Sequence, residues 1–254
     1  LITLENEKVR IGIAYRGGRV AKAELKEYKA YGDCINDLCL FQNEESTLNF
    51  TLVTNSNRIL ATQNLYFVAA SQTTDAEGNT TLTMRLNTNI EDCYLDFVYT
   101  LPTNDYMVGM SIQPHNMQLA LAQNMSSIEM QWNQTIPQLE KGRKFEEKYA
   151  QLQYMFVGGD IEKLSEQRAD RANESARLKW IAYKDQFFST VMIAEDAFES
   201  TTMESTPLNQ HSKYIKEYKT TTSLPLDITG QKSTNIRYYF GPNHYNTLKA
   251  YDKD

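Results

Sequence analysis

Apolar residues return at every second position through long stretches of this chain, and each such stretch closes on residues that favour tight turns. Val9, Ile11, Ile13 and Tyr15 alternate and then meet Arg16-Gly17-Gly18, where glycine tolerates the positive φ of a turn. Leu65, Phe67 and Ala69 alternate, Asp75-Ala76-Glu77-Gly78-Asn79 supplies turn chemistry, and Leu82, Met84 and Leu86 alternate again. Leu95, Phe97, Tyr99 and Leu101 lead through Pro102-Thr103-Asn104-Asp105 into Tyr106, Val108, Met110 and Ile112. A period of two with polar neighbours describes strands that bury one face, and successive hairpins without helical periods describe antiparallel sheets. The pattern therefore predicts an all-β chain whose antiparallel sheets stack face to face.

Between residues 138 and 177 the pattern lapses. Glu140-Lys141-Gly142-Arg143-Lys144-Phe145-Glu146-Glu147-Lys148 mixes charges with few apolar anchors, which reads as a solvated excursion with short helical turns. Alternation resumes with Trp180-Ile181-Ala182-Tyr183 and Phe187 to Ala194, read as two core strands with Trp180 inside. Leu224, Leu226 and Ile228 alternate before a last strand from Ile236 to Phe240, where Gly241-Pro242 is expected to break the ladder. Tyr245, Leu248 and Tyr251 lie three apart, predicting a short C-terminal helix over about 243–252.

With 254 residues, an all-β sandwich is expected to stay one domain over 1–254. A net charge of −6 disfavours nucleic acid and anionic lipid as partners. No run approaches the roughly 18 apolar residues of a membrane span, and the opening is strand-like with no signal-peptide pattern, as in an excised soluble piece. Cys34, Cys39 and Cys93 form no CxxC pair and have no histidine at zinc-ligand spacing, so no metal and no cofactor are expected. A Cys34–Cys39 bridge stays open, with three inert thiols the favoured reading.

Several strings, taken in order, resemble the first periplasmic domain of the YidC membrane-protein insertase family. They are Gly17-Gly18 at the first turn, the D-A-x-G-N turn at Asp75 to Asn79, and Asp105-Tyr106 entering a strand. Trp180-Ile181-Ala182, Gln186-Phe187-Phe188 and Tyr239-Phe240-Gly241-Pro242 complete the set. The resemblance spans nearly the whole chain and is poor only over 113–177. It implies a galactose-mutarotase-like β-supersandwich with a helical C-terminal end, held between two transmembrane helices at the periplasmic face of the bacterial inner membrane. It further implies a non-enzymatic role in the insertion and folding of inner-membrane proteins. The implied partners are the Sec translocon components SecDF and SecYEG, together with nascent membrane proteins.

The charged run offers Lys141, Arg143, Lys144 and Lys148 as a docking edge, against the plainer reading of a solvated face. Gly17, Gly18, Trp180, Gln186, Phe187, Phe188, Gly241 and Pro242 are read as structural, with one of Phe187 and Phe188 buried and the other facing a groove. The alternative function is a carbohydrate-binding or mutarotase-like sandwich, whose chemistry needs a histidine and a carboxylate converging on one sugar ring. His115, His211 and His244 lie in no motif of that kind, and no His–carboxylate constellation is expected.

Overall fold

A computed structural model of the chain describes residues 1–33 and 35–244. The expected C-terminal helix falls almost wholly on residues outside that range, and so does Cys34 with its pairing; Asn243 and His244 are not helical. Two sheets make up the described residues. The first is a four-stranded meander of β1 (Ile2–Glu5), β2 (Val9–Ile13), β3 (Val20–Leu25) and β4 (Leu38–Gln42). The remaining elements are β5 (Ser46–Val53), β6 (Ile59–Ala61), β7 (Val68–Thr74), β8 (Thr80–Asn87), β9 (Tyr94–Leu101), β10 (Met107–His115), β11 (Ser127–Pro137), the helix α1 (Arg143–Tyr149), β12 (Gln151–Phe156), β13 (Ile161–Lys163), β14 (Asp170–Glu174), β15 (Leu178–Lys184), β16 (Phe188–Pro207), β17 (Tyr214–Pro225) and β18 (Thr234–Pro242).

These later strands form one continuous ladder in the order β6-β5-β11-β17-β16-β18-β10-β9-β8-β7, with β12 to β15 attached beside β16. The ladder doubles over because the 20-residue β16 serves two layers. Its first part, Phe188 to Ala194, pairs with β18 and β15, while Thr201 to Pro207 pairs with β17 and β14. The change of layer falls at an irregular register between Glu199 and Thr202, where Ser200 takes a φ of 50°; a bulge of this kind lets a strand leave one sheet for another. The two layers then face each other. Trp132 of β11 stacks on Tyr183 of β15 with ring centres 3.7 Å apart, and Phe50 of β5 meets Phe97 of β9 at 5.4 Å. Every strand pairing among the described residues is antiparallel, as the alternation requires.

Polar groups caught between the layers are answered. Tyr183 Oη donates to Trp132 O at 2.8 Å and contacts Thr220 Oγ1 at 2.7 Å, and Tyr99 Oη donates to Gly18 O at 2.6 Å. That last bond ties the first hairpin to the sandwich. Gly18 has a φ of 60°, and a Cβ there would stand 2.9 Å from the Phe67 ring, so both backbone and space exclude a side chain. Gly17 shares the turn at φ 82°.

The excursion at 138–177 is corrected. It contains α1, β12, β13 and β14, and β12 is an integral strand paired with β15. Leu152, Tyr154, Leu164 and even Glu146 are buried, because two inward residues two apart suffice to anchor a strand whose intervening positions are polar. Gly241-Pro242 also departs from expectation. Both residues belong to β18 and face Ser189 and Phe188 across the ladder; a proline at a strand's last position loses no bond the sheet requires.

Candidate functional site

β15 separates its two faces cleanly. Ile181 and Tyr183 point between the layers, so Trp180, Ala182 and Lys184 point to the other face of the sheet. In β16 the same division sends Phe188, Thr190 and Met192 inward and Ser189, Val191 and Ile193 outward. Trp180 is thus half-buried and not a core residue, which corrects the sequence reading. Trp132 is the buried tryptophan. The run Trp-Ile-Ala-Tyr is apolar on both faces, so alternation alone does not say which side meets the core.

Trp180 lies in a groove of about 300 Å³ that also takes in Ile161, Ala182, Val191, Ile193 and Tyr239. Its far end is polar. Asn243 Nδ2 donates to Asp185 O at 3.0 Å and Phe188 O at 3.3 Å, and its Oδ1 accepts from Ser189 Oγ. Tyr239 Oη donates to Pro242 O at 2.7 Å, and a Cβ on Gly241 would stand 2.6 Å from that ring. Gly241 and Pro242 therefore shape the groove by seating Tyr239. Lys184 is half-buried at this end and meets no carboxylate among the described residues. Burial, with the nearby Lys163 charge, holds its ammonium below the usual lysine range. An apolar floor with one unpaired cation suits an apolar ligand that carries an acid group. Of the remaining motif residues, Phe188 is buried against Tyr28, while Phe187 is exposed and Gln186 half-buried in the β15–β16 turn.

The four basic docking residues are not equivalent. Arg143 donates to Glu147, Ser212 O, Asn209 O and Tyr214 O at 2.5 to 3.1 Å, which makes it a clamp on the 209–214 loop. Lys141, Lys144 and Lys148 are exposed, with Lys141 5.8 Å from the Tyr31 ring centre and Lys148 at the same distance from Tyr149. Phe145 and Tyr149 stand exposed beside them. The sequence reading missed these two aromatics, although their i, i+4 spacing puts them on one helix face. Beneath α1, Glu146 is its one buried side chain. Glu146 Oε1 accepts Leu139 N–H at 2.7 Å, and Asp185 is also buried, with neither carboxyl oxygen hydrogen-bonded. Burial raises both acids above the usual carboxylate range, Asp185 the more strongly and with Glu146 adding to it.

A His–carboxylate pair, not expected from sequence, does exist. His115 Nε2 lies 3.6 Å from Asp96 Oδ2, an ion-pair distance too long for a hydrogen bond. Arg85 holds both Asp96 oxygens at 2.8 Å, its guanidinium covers the Tyr94 ring at 3.6 Å, and His115 stacks on Tyr94 with ring centres 4.4 Å apart. The carboxylate is committed to arginine, and acid and base touch each other instead of facing across a space for a ring. His211 is exposed in the 209–212 turn. Among the described residues no cluster of three His, Cys, Asp or Glu side chains has metal-binding geometry.

The family described as the YidC periplasmic domain matches residues 1–254. The chain belongs to that family. A membrane protein insertase YidC from Parabacteroides distasonis is 45% identical over 253 residues, covering 99% of this chain and 38% of that protein. The chain thus spans about two-fifths of the length of the curated insertases it matches. Among solved structures, a galactose mutarotase-like protein from Lactobacillus casei aligns with a TM-score of 0.51 at 13% identity, over 94% of this chain and 99% of that one. An α-N-acetylgalactosaminidase from Bifidobacterium bifidum aligns at 0.57 and 8% identity, over 100% of this chain and 38% of that one. Likeness at that identity shows the fold alone, so the YidC periplasmic domain here is a galactose-mutarotase-like sandwich.

Proposed function

We propose that this YidC periplasmic domain acts as one unit over 1–254 at the outer face of the inner membrane. In this reading it supports insertion without catalysing a reaction. It holds apolar segments of exported polypeptides in the Trp180 groove, and it docks a Sec translocon partner such as SecDF through the exposed face of α1. The observation that carries the reading is the groove: an apolar sheet face, lined by Trp180, Val191, Ile193 and Ile161, that no described strand or helix packs over, where a sheet facing only solvent presents polar residues. The exposed Phe145 and Tyr149 among Lys141, Lys144 and Lys148 support the docking half, since aromatic anchors ringed by charge recur at protein interfaces. The sugar-enzyme alternative has less support, because Asp96 is bound by Arg85 and not presented to a substrate.

The test replaces Trp180 and Ile193 with serine in the full-length insertase and follows insertion of a membrane protein with a large periplasmic loop. Slower insertion is expected from a domain that still melts cooperatively, only a few degrees below the parent. Unchanged insertion would remove the groove from the function.

A further inference from the structure

Two arginines line a cavity of about 280 Å³ where the first hairpin meets the turn into β5 and the segment that precedes β7. Arg19 is 7% exposed. Its Nη1 donates to Asn43 O at 3.2 Å and Ser46 O at 2.5 Å, and its Nη2 to Glu44 Oε1 at 3.0 Å. Arg16 Nε donates to Gln63 O at 3.0 Å and its Nη2 to Asn64 Oδ1 at 3.1 Å. Both guanidinium groups are thus held in place before any ligand arrives, which spares the ordering cost of binding. Each carries five N–H donors, and of these Arg19 keeps two and Arg16 three without a partner among the described residues.

The cavity carries an excess of positive charge although the chain as a whole is at −6. Glu44 is the one carboxylate in its lining, with a side chain 83% exposed and only Oε1 engaged, and Arg16 meets no carboxylate among the described residues. Burial lowers the Arg19 guanidinium from its ordinary value against the pull of Glu44, and the Arg16 charge adds to the lowering. An anion seated between the two removes that repulsion. Phosphate oxygens match the fork of a guanidinium, and the volume lies at the lower limit of about 300 Å³ for ligand pockets, enough for a small polar group. The rim is apolar. Tyr66 stands directly opposite Arg16 in a β-bridge and so shares its face, and it is 71% exposed. Val68, two residues on, is 48% exposed, and Leu1, in the lining itself, is 59% exposed. Free phosphate makes no use of such a rim, whereas tyrosine and aliphatic side chains beside cations settle at the boundary of a bilayer. The net charge opposes nucleic acid and anionic membranes; a zwitterionic phospholipid meets no such opposition, and its ammonium matches the exposed Glu44.

We propose that Arg16 and Arg19 clamp the phosphate of a zwitterionic phospholipid headgroup, with its ammonium against Glu44 and with Leu1, Tyr66 and Val68 resting on the bilayer interface. The site shares no residue with the Trp180 groove or the α1 face, and it takes from the function proposed above only the nearness of a membrane.

The test floats the full chain with vesicles of phosphatidylcholine and phosphatidylethanolamine, and follows the Nε–H signals of Arg16 and Arg19 by NMR as glycerophosphoethanolamine or inorganic phosphate is added. The chain should float with the vesicles, and Arg16→Gln should weaken that binding by about tenfold or more, the scale of one charge-assisted hydrogen bond. Arg171→Gln, which removes the same charge from the exposed face of β14, should float as the parent does. Glycerophosphoethanolamine should shift both arginine signals. Equal weakening by the two substitutions would make the effect one of net charge and overturn the site. Absence of flotation would overturn the lipid assignment even where inorganic phosphate shifts both signals, and no shift with either soluble probe would overturn the pocket itself. The titrations use the parent chain alone, so they decide even where a variant is unstable. Neither arm contains an inserting protein, so the groove stands or falls separately.

Discussion

Truncating Trp132 and truncating Trp180 to alanine should have very different costs, although both tryptophans lie on strands amid apolar residues. Trp132 is 2% exposed and stacks on Tyr183 at 3.7 Å, which in turn packs on Tyr218 at 5.1 Å. Its removal opens a hole between two sheets that cannot close without moving both layers, and a buried aromatic truncated to alanine costs about 3–5 kcal/mol. For a chain of this size that is a fall in melting temperature of roughly 6–20 °C. Trp180 rests on one sheet face with solvent on the other side, so its loss should cost only about 1 kcal/mol. Urea denaturation of both variants, with the slope against denaturant compared to ensure that the same transition is measured, provides the assay. Equal losses, or a larger loss for Trp180→Ala, would refute the assignment of the two sheet faces and with it the groove.

Other consequences can be checked separately. Gly18→Ala places a Cβ against the Phe67 ring at positive φ and disturbs the carbonyl that Tyr99 binds; a loss of about 2–3 kcal/mol is expected in the same denaturation assay. Lys216 is buried and donates to Ala150 O at 2.5 Å and Glu166 O at 2.6 Å, and burial lowers its ammonium to about 8. The unfolded chain then holds the extra proton between about pH 8 and 10.5, so this lysine makes stability rise with pH across that window, by at most about 3 kcal/mol. Lys216→Met should abolish that rise in melts compared with the parent at each pH. Reversing Lys141, Lys144 and Lys148 to glutamate should leave the melting transition within about 0.5 kcal/mol of the parent while weakening retrieval of SecDF from membranes; undiminished retrieval would move the docking surface elsewhere.

Much of the sandwich is legible in the amino-acid sequence because a half-buried strand writes its buried face at every second position. The hairpins β2–β3 and β9–β10 follow directly from that rule and from their turn residues. β12 escapes it, since Leu152 and Tyr154 alone mark its inner face and charged neighbours on both sides resemble a solvated loop. Trp132 sits in a clean alternation of Ile128, Met130, Trp132, Gln134 and Ile136, whereas Trp180 lies where apolar residues are consecutive and the period carries no information. The Asp96 and His115 side chains, 3.6 Å apart, join positions on different elements. Only the register and the layer stacking bring them together, and neither is written in local spacing. Arg143 likewise looks like one more surface charge until the 209–214 loop arrives beside it.

In the function proposed above, the Trp180 groove receives segments of membrane proteins during their insertion. Its most direct test is a photo-crosslinking residue at position 180 in the full-length insertase, activated while a membrane protein is being inserted, with the same residue at position 132 as the buried control. Crosslinks from 180 to the exported part of the inserting chain, and none from 132, are expected. Equal absence of crosslinks at both positions, while insertion proceeds at its normal rate, would contradict it.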